Sequence, residues 1–532
     1  MVPLKEKDGP IVKNLLAAGC CARCVLRFCC IGVPSAYRQS YEDTVKELHD
    51  FIREAENNQS QDATVPEHTE NPPSKKIRLD TTEADSHFEG DTAMVPVSDE
   101  PDKKTADSEV CVVCLGVLQE FCDRAHATKI SDAVKTENYQ FDTLVLSVSL
   151  PAQLSVREHS CWLHIKKEVR EKSMCLNKDD VIQVKEAFKW IMQGLISKEM
   201  GGKPVVTKSS FEIGVGFTHP ETDGDCHFLA STCSDCFRPT KNKQSVFTRM
   251  AVIKALEKIS DDKFLKKFPC PPSKPTSKCI AQDVQCLHVS VFVAGRYNKF
   301  SRALPQTPWL IDGERRMESS VEELIAAPLL SSFRADGFNF SSSGREDVDV
   351  RTLGNGRPFA LELLNPHRAR FNKAEIRQLQ ETINGSSDKI RVRDLQIVTR
   401  EAMGHMKEGE EDKTKSYTAL IWTRKAIEKE DITFIDNIKE LKIAQKTPLR
   451  VLHRRPLAVR ERVIHTMSTR FLDTHHFHLE LRTQAGTYIK EFVHGDFGRT
   501  KPNLCELLEA ETDILELDVE SVDVDWPPAI PE

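Results

Sequence analysis

Gly344-Arg345-Glu346-Asp347-Val348-Asp349-Val350-Arg351 is the stretch on which the reading of this chain turns. It follows the small polar residues Ser341 to Ser343. It precedes a second turn, Gly354-Asn355-Gly356-Arg357-Pro358, and a largely apolar run, Phe359 to Leu364, that reads as a buried strand. A carboxylate between two arginines, on a glycine-hinged loop beside a strand, suits chemistry on an anionic polymer. Guanidinium groups hold phosphate or an extruded base, and nearby cations keep a carboxylate ionised at neutral pH. On its own the octapeptide reads more readily as a solvated loop carrying a ladder of charge.

Two further stretches change that balance. Lys415-Ser416-Tyr417-Thr418-Ala419-Leu420-Ile421 and Ala485-Gly486-Thr487-Tyr488-Ile489-Lys490-Glu491 follow downstream. The first stretch resembles the Gly-Arg-Thr-Asp-Ala-Gly-Val loop of pseudouridine synthases of the TruA type, in which the aspartate is catalytic. The other two resemble the second and third motifs of those enzymes, in the same order. With the N-terminal cysteines described below, the chain resembles the tenth pseudouridine synthase family, shared by archaea and eukaryotes.

The resemblance implies a role for each matching residue. Asp347 is the catalytic carboxylate, a nucleophile on C1′ or a base at C2′. Tyr417 stacks on the target uracil, Lys490 pairs with Asp347, Tyr488 packs beneath that pair, and Arg345 enters the RNA stack to help extrude the nucleotide. Asp349 is the rival carboxylate, on the same side of an extended loop two residues on. It stands where the TruA loop has glycine, and Lys490 replaces the arginine of the TruB type, a point charge in place of a bidentate clamp. The implied activity is a transfer RNA pseudouridine synthase acting on adjacent uridines of the TΨC arm, with no organic cofactor.

With 532 residues, the chain is expected to fold as roughly three domains. It is 39% hydrophobic, enough for a sizeable core. No apolar run approaches the roughly 18 residues of a membrane span, so no membrane partner is expected. The first residues are charged and unlike a secretory signal, which points to a reducing compartment where the 17 cysteines are thiols or metal ligands. The net charge of −7 argues against a nucleic-acid binder only if it is evenly spread. Between Asn57 and Glu109 there are 13 acidic and 5 basic side chains, which leaves the remainder close to neutral and free to carry basic patches.

Ile11 to Ala18 reads as a helix ended by Gly19. Asp43 is placed as the cap of a second helix with apolar residues Val45, Leu48, Phe51 and Ile52. From 57 to 109 periodicity vanishes, and the composition predicts an acidic, disordered insertion. Within it, Pro72-Pro73-Ser74-Lys75-Lys76-Ile77-Arg78 is a candidate nuclear-localisation signal, from which a nuclear and cytoplasmic distribution is expected. Two Cys-x-x-Cys knuckles flank the insertion, Cys21 with Cys24 and Cys111 with Cys114. Together they supply four thiolates for tetrahedral zinc, and a long insertion between them costs little extra loop entropy. The family resembled carries a structural zinc in this arrangement. Cys20, Cys29 and Cys30 are read as small buried side chains, and Cys233 with Cys236 as a structural pair.

Downstream, Phe141 to Leu150 alternates as a half-buried strand. Asp179-Asp180 is placed as a helix cap, Phe211 to Phe217 as a strand and Val246 to Ile259 as a helix. This order resembles the THUMP type of RNA-binding module, and Phe268 to Lys278, with four prolines, reads as the linker that follows.

The C-terminal half opens with a strand, Leu287 to Ala294, and then interleaves cations with aromatics. Arg296, Tyr297, Lys299 and Arg302 are predicted to contact RNA. The most basic stretch, with Arg450, Arg454 and Arg455, is predicted as a phosphate-binding loop running into an edge strand. Helix is expected over Phe371 to Thr382. Strands are expected over Ile390 to Ile397, Tyr417 to Thr423, His475 to Arg482, Ala485 to Phe492 and Asp513 to Asp525, and Pro502 is read as the first-turn residue of a helix.

The expected fold is α+β: a pseudouridine synthase domain with a central mixed sheet over 286–532, preceded by a zinc-containing α/β accessory domain with a THUMP-like module over 1–56 and 110–285. The expected partners are transfer RNA, other structured RNAs and RNA-processing proteins, and the chain is expected to be a monomer. The competing reading is a non-catalytic RNA-binding or scaffold protein. A zinc deaminase is disfavoured because Thr232 stands where its Pro-Cys-x-x-Cys motif needs proline before Cys233 and Cys236. A methyltransferase is disfavoured because no Gly-x-Gly-x-x-Gly follows a strand.

Overall fold

A long strand that changes partners half-way along organises the C-terminal half of this computed structural model, which describes residues 2–61, 109–171, 177–239, 241, 245–408 and 412–531. The chain divides into two compact units, one of residues 1–136 and 143–286, the other of residues 137–142 and 287–532.

Apart from the two-stranded hairpin Leu310–Ile311 with Glu314–Arg315, the strands of the second unit are β1 (Val291–Lys299), β2 (Gly337–Ser342), β3 (Arg351–Leu364), β4 (Ile390–Val398), β5 (Thr414–Thr423), β6 (Lys439–Lys446), β7 (Val459–Asp473), β8 (His476–Gln484), β9 (Thr500–Lys501) and β10 (Thr512–Val522). They form one sheet in the order β4-β1-β3-β10-β5-β8-β7-β6-β9, with β2 also on β3. All pairs are antiparallel except β3 with β10, so the sheet is mixed and the unit α+β.

The first turn of β3 pairs in parallel with β10, Arg351 with Asp518. Its far half pairs with β2, Ser342 with Phe359 through Gly337 with Leu364. The segment 343–350 therefore leaves the sheet in the gap between β2 and β10, at its middle. The expected Gly354-Asn355-Gly356 turn is instead an irregular part of β3. Asn355 closes the seam there: its side-chain amide donates to Val522 O at 2.9 Å and its Oδ1 accepts from Val522 N at 3.0 Å.

Helices Val321–Phe333 and Lys373–Ser386 cover one part of the sheet, burying Ile325, Leu329, Ile376 and Ile383 against Val293, Phe359 and Leu361. A second core gathers Ile421, Phe477, Leu479, Ile489, Phe492 and Val493. The expected strand over Ala485 to Phe492 is a helix, Ile489–His494, closed by Gly495 at φ 82°. The reason is legible afterwards: Ile489, Phe492 and Val493 recur at helical spacing, and strand periodicity would split them across two faces. The strand β7 is interior, between β6 and β8, and not an edge. Pro502 lies before the helix Leu504–Leu508, whose cap is Asn503.

In the first unit, helices Gly9–Ala18 and Ala22–Phe28 carry the first cysteine knuckle between them. Gly19 takes φ 95°, and its carbonyl accepts from Val112 N at 3.1 Å, which ties the two knuckles together. Strands Val145–Ser149 and Phe211–Thr218 pair in parallel, joined through helices Gln153–Glu171 and Val184–Glu199.

Two expected caps move. Ser40 Oγ, not Asp43, accepts at the start of helix Tyr41–Gln61, and Asp179-Asp180 sit in a separate short turn before Val184. The expected linker Phe268 to Lys278 is packed into this unit, because Arg157 Nη1 donates to Ser273 O and Ser160 Oγ to Pro269 O. The helix Tyr41–Gln61 runs into the first residues of the expected insertion. The remainder of that insertion to Ser108, with its basic cluster at Lys75 to Arg78, lies outside the described residues.

Candidate active site

Gly344 starts the loop. Its φ is 87°, and a Cβ there would lie 2.6 Å from Arg357 Nη1 and 2.7 Å from Lys415 Nζ, so only glycine fits. The next three side chains diverge. Arg345 is exposed, Glu346 turns into the protein, and Asp347 faces a cavity of about 420 Å³.

Glu346 is the loop's anchor. It accepts from Arg357 Nε at 2.8 Å and from the Tyr297 hydroxyl at 2.9 Å, and the side chains of Glu346 and Arg357 are 0% and 2% exposed. Arg357 also donates to Ser343 O at 2.8 Å. Gln306 ties the Tyr297 hydroxyl to Ser342 Oγ and Gly344 O at 2.9 to 3.1 Å.

Beneath the loop lies Lys299, fully buried, donating to Leu304 O at 2.7 Å and to Asp347 O and Val348 O at 3.0 Å. Burial lowers its pKa to about 8, against the pull of Glu346 and Asp349. Three cations on other elements surround the carboxylate of Asp347, the most distant being Arg454, whose Nη2 lies 3.9 Å from Oδ1. Arg450 Nη1 donates to Oδ2 at 2.7 Å, and Lys490 Nζ stands 3.5 Å away. Arg450 is itself gripped by buried Glu491 through Nε and Nη2. Burial alone would lower the Arg450 pKa, but Glu491 and Asp347 outweigh it and raise it.

Lys490 bonds mainly to Asp349, at 2.8 and 3.0 Å, and holds that carboxyl below its ordinary range although burial works the other way. Asp349 is not among the cavity residues, whereas Asp347 is. Tyr417 and Tyr488 line the same cavity, and burial pushes the Tyr417 phenol up. In all, eight cationic side chains and two carboxylates line it, an environment for a polyanion with one negative group at its centre.

The structure thus brings Asp347, Tyr417, Tyr488, Lys490, Arg345, Arg450, Arg454 and Arg455 to one cavity. It reassigns others. Arg296, Tyr297 and Lys299 are buried and cannot meet RNA. They face inward because β1 has sheet partners on both sides and the loop above it, and their polar ends are used inside the protein: Arg296 donates to Gly356 O at 2.8 Å and to Val524 O, Lys299 to backbone carbonyls, and Tyr297 to Glu346. Arg302 is half-buried and paired with Asp518 at 2.8 Å. Arg450, read from sequence as a phosphate ligand, is the clamp on Asp347. The buried carboxylates Glu346 and Glu491 carried no sequence signal beyond lying beside their motifs.

In the first unit, the sulfurs of Cys21, Cys24, Cys111 and Cys114 lie within 4.8 Å of one another, all buried. Backbone N–H groups of Cys21, Val113 and Cys24 point at these sulfurs at 3.2 to 3.4 Å, and Arg27 Nη1 approaches Cys24 Sγ at 3.2 Å. Four convergent thiols surrounded by donors fit a thiophilic metal ion. Cys20 and Cys29 are buried as expected, and Cys30 is half-buried. His219, the histidine of the His219-Pro220-Glu221 triplet upstream of Cys233 and Cys236, belongs to no comparable cluster among the described residues: its Nδ1 contacts Thr222 Oγ1 and its Nε2 contacts Ser277 O, both at 2.7 Å.

Comparison with known proteins follows the same division. A family model described as Pus10, C-terminal, matches residues 292–523, and one described as Eukaryotic Pus10, N-terminal, matches 111–286. A mouse protein named tRNA pseudouridine synthase Pus10 is 59% identical over 532 residues, covering 100% of both chains. The human protein of that name is 58% identical over 534 residues, again with 100% coverage of each. The chain belongs to the Pus10 family. As a Pus10 member it is an enzyme, a pseudouridine synthase and so an isomerase. A crystal structure of a Cbf5-Nop10-Gar1 complex overlaps 43% of this Pus10 chain and 48% of its own at 15% identity, with a TM-score of 0.24, too slight to argue from.

Proposed function

We propose that this chain isomerises uridine in transfer RNA, at position 54, position 55 or both in the TΨC arm, with Asp347 as the catalytic carboxylate. The observation that carries the reading is Asp347 itself: a carboxylate at a cation-lined cavity, fixed by Arg450 and faced by Tyr417. The reaction breaks the bond from uracil N1 to C1′, turns the base, and joins C5 to C1′. N1 gains a proton and the C5 proton leaves to solvent, so nothing else is consumed. Asp347 serves at C1′ as nucleophile or at C2′ as base. Tyr417 stacks on the free base and keeps it from escaping.

Arg345, exposed at the rim, enters the stack as the nucleotide is extruded. Lys490 neutralises the loop by bridging Asp349 and Asp347. Arg454 and Arg455 meet the phosphates. Zinc on the four cysteines braces the accessory unit, read as a THUMP-like module that holds the RNA, in a monomer working in nucleus and cytoplasm beside other RNA-processing proteins.

The test is tritium release from unmodified transfer RNA carrying 5-tritiated uridine, wild type against Asp347→Asn. Release by the wild type alone supports the reading. Equal release by both moves the role to Asp349.

A further inference from the structure

Directly after the helix that carries Lys490, four consecutive residues take left-handed backbone angles: Gly495 at φ 82°, Asp496 at 48°, Phe497 at 55° and Gly498 at 80°. Two of the four carry a Cβ, a strained arrangement that persists only where surrounding structure enforces it. Its product is the ring of Phe497, 94% exposed, the most exposed large apolar side chain among the described residues.

The pedestal beneath it is firm. Gly498 N donates to Gly495 O at 3.0 Å and Thr500 N to the same oxygen at 3.2 Å. Asp496 is buried, and its Oδ2 accepts from Leu449 N at 3.3 Å. Arg499 Nη2 donates to Thr447 O at 2.7 Å, and Arg499 O accepts from Lys446 N at 3.0 Å. The loop is thereby fastened to the chain one residue before Arg450, the clamp on Asp347. Two exposed cations stand close to it in the chain and the sheet, Lys501 and Lys446, while Arg499 is paired with Asp496 at 3.6 Å.

We propose that Phe497 stacks on a base of the RNA substrate beside the extruded uridine. The inference rests on the proposed function above. Extruding one nucleotide leaves its neighbours with an unstacked face, and an aromatic ring held rigidly on the loop that follows the Lys490 helix and is fastened beside Arg450 replaces the lost stack. The cations around it hold the flanking phosphates, the pairing of ring and charge that single-stranded nucleic acid recognises. A protein partner is the competing occupant, and the cationic surroundings argue against it.

The full chain is tested with an unmodified transfer RNA transcript, reading both RNA binding and tritium release. Phe497→Ala should weaken binding and raise KM by about 5- to 150-fold, the range for one base–aromatic stack, with kcat little changed. Phe497→Trp should keep wild-type affinity, with its fluorescence quenched by RNA. Phe497→Leu should behave as alanine, since an apolar contact without a π-face does not stack. Phe497→Gly should melt at a higher temperature than wild type yet bind RNA weakly, a divergence that a structural role would not produce.

Wild-type binding by Phe497→Ala, or full rescue by leucine, overturns the proposal. So does a change of Phe497→Ala from dimer to monomer with RNA affinity intact, which would make the ring an interface between copies. If the wild type binds RNA through Phe497 but releases no tritium, the isomerase reading fails and the stacking stands. If it releases tritium while all four variants bind alike, the stacking alone fails.

Discussion

Replacing Glu346 by alanine separates what the loop anchor does for stability from what it does for chemistry. Glu346 and Arg357 form an ion pair in which neither side chain meets solvent appreciably. Removing the carboxylate leaves the Arg357 guanidinium buried with only Ser343 O as acceptor, and leaves the Tyr297 hydroxyl without its acceptor. Breaking a buried pair from one side costs about 3–5 kcal/mol, mostly the desolvated charge left behind. For a unit of this size, each kcal/mol lowers the melting temperature by about 2–4 °C, so Glu346→Ala should melt about 6–20 °C below wild type in calorimetry.

The companion double variant Glu346→Leu with Arg357→Met removes both charges. It should recover most of that stability, since apolar replacements of buried pairs are often neutral. It should not recover tritium release, because nothing then turns the chain at Gly344 so that Asp347 meets Arg450. A double variant as active as wild type would refute the argument that this pair positions the loop. A single variant with an unchanged melting curve would refute its energetics.

Other outcomes follow from the same geometry. Arg450→Lys keeps a charge but cannot span Glu491 and Asp347 together, so kcat should fall about 100-fold, the cost of a small misplacement, with KM nearly unchanged; an equal fall in both would show instead that Arg450 binds substrate. Lys299, with a pKa of about 8, gives three hydrogen bonds as an ammonium and loses one donor as pH rises through that value, so the pH profile should fall above about pH 8. Its depressed pKa also means that stability rises between that pH and the ordinary lysine range, so the fall is not unfolding. The limb should vanish in Lys299→Met, at a lower overall rate. Cys111→Ser with Cys114→Ser should release one bound zinc per chain and lower the first unit's melting temperature; unchanged metal content and melting would dismiss the site.

Much of this was readable from the chain alone. The loop glycine, the aspartate two residues after Arg345, and the two downstream motifs are local patterns, and local chemistry dictates them: Gly344 alone tolerates its backbone angle and its neighbours. The cysteine pairs were equally legible, because a metal needs a fixed ligand count and loop length barely matters. Local composition placed strands at β1 and β5 but not their surroundings. Arg296, Tyr297 and Lys299 have the composition of an RNA-binding stretch, and nothing local says that partners on both sides and a loop above will bury them.

The grip on Asp347 belongs to the tertiary structure for a related reason. Arg450 and Lys490 lie far along the chain from it, and which cation reaches which carboxylate depends on the order of strands. It also depends on a helix standing where a strand was expected. Sequence specifies the chemistry a residue can do. Its partner is chosen by long-range pairing, here the point where β3 passes from β10 to β2 and leaves the loop standing at the middle of the sheet.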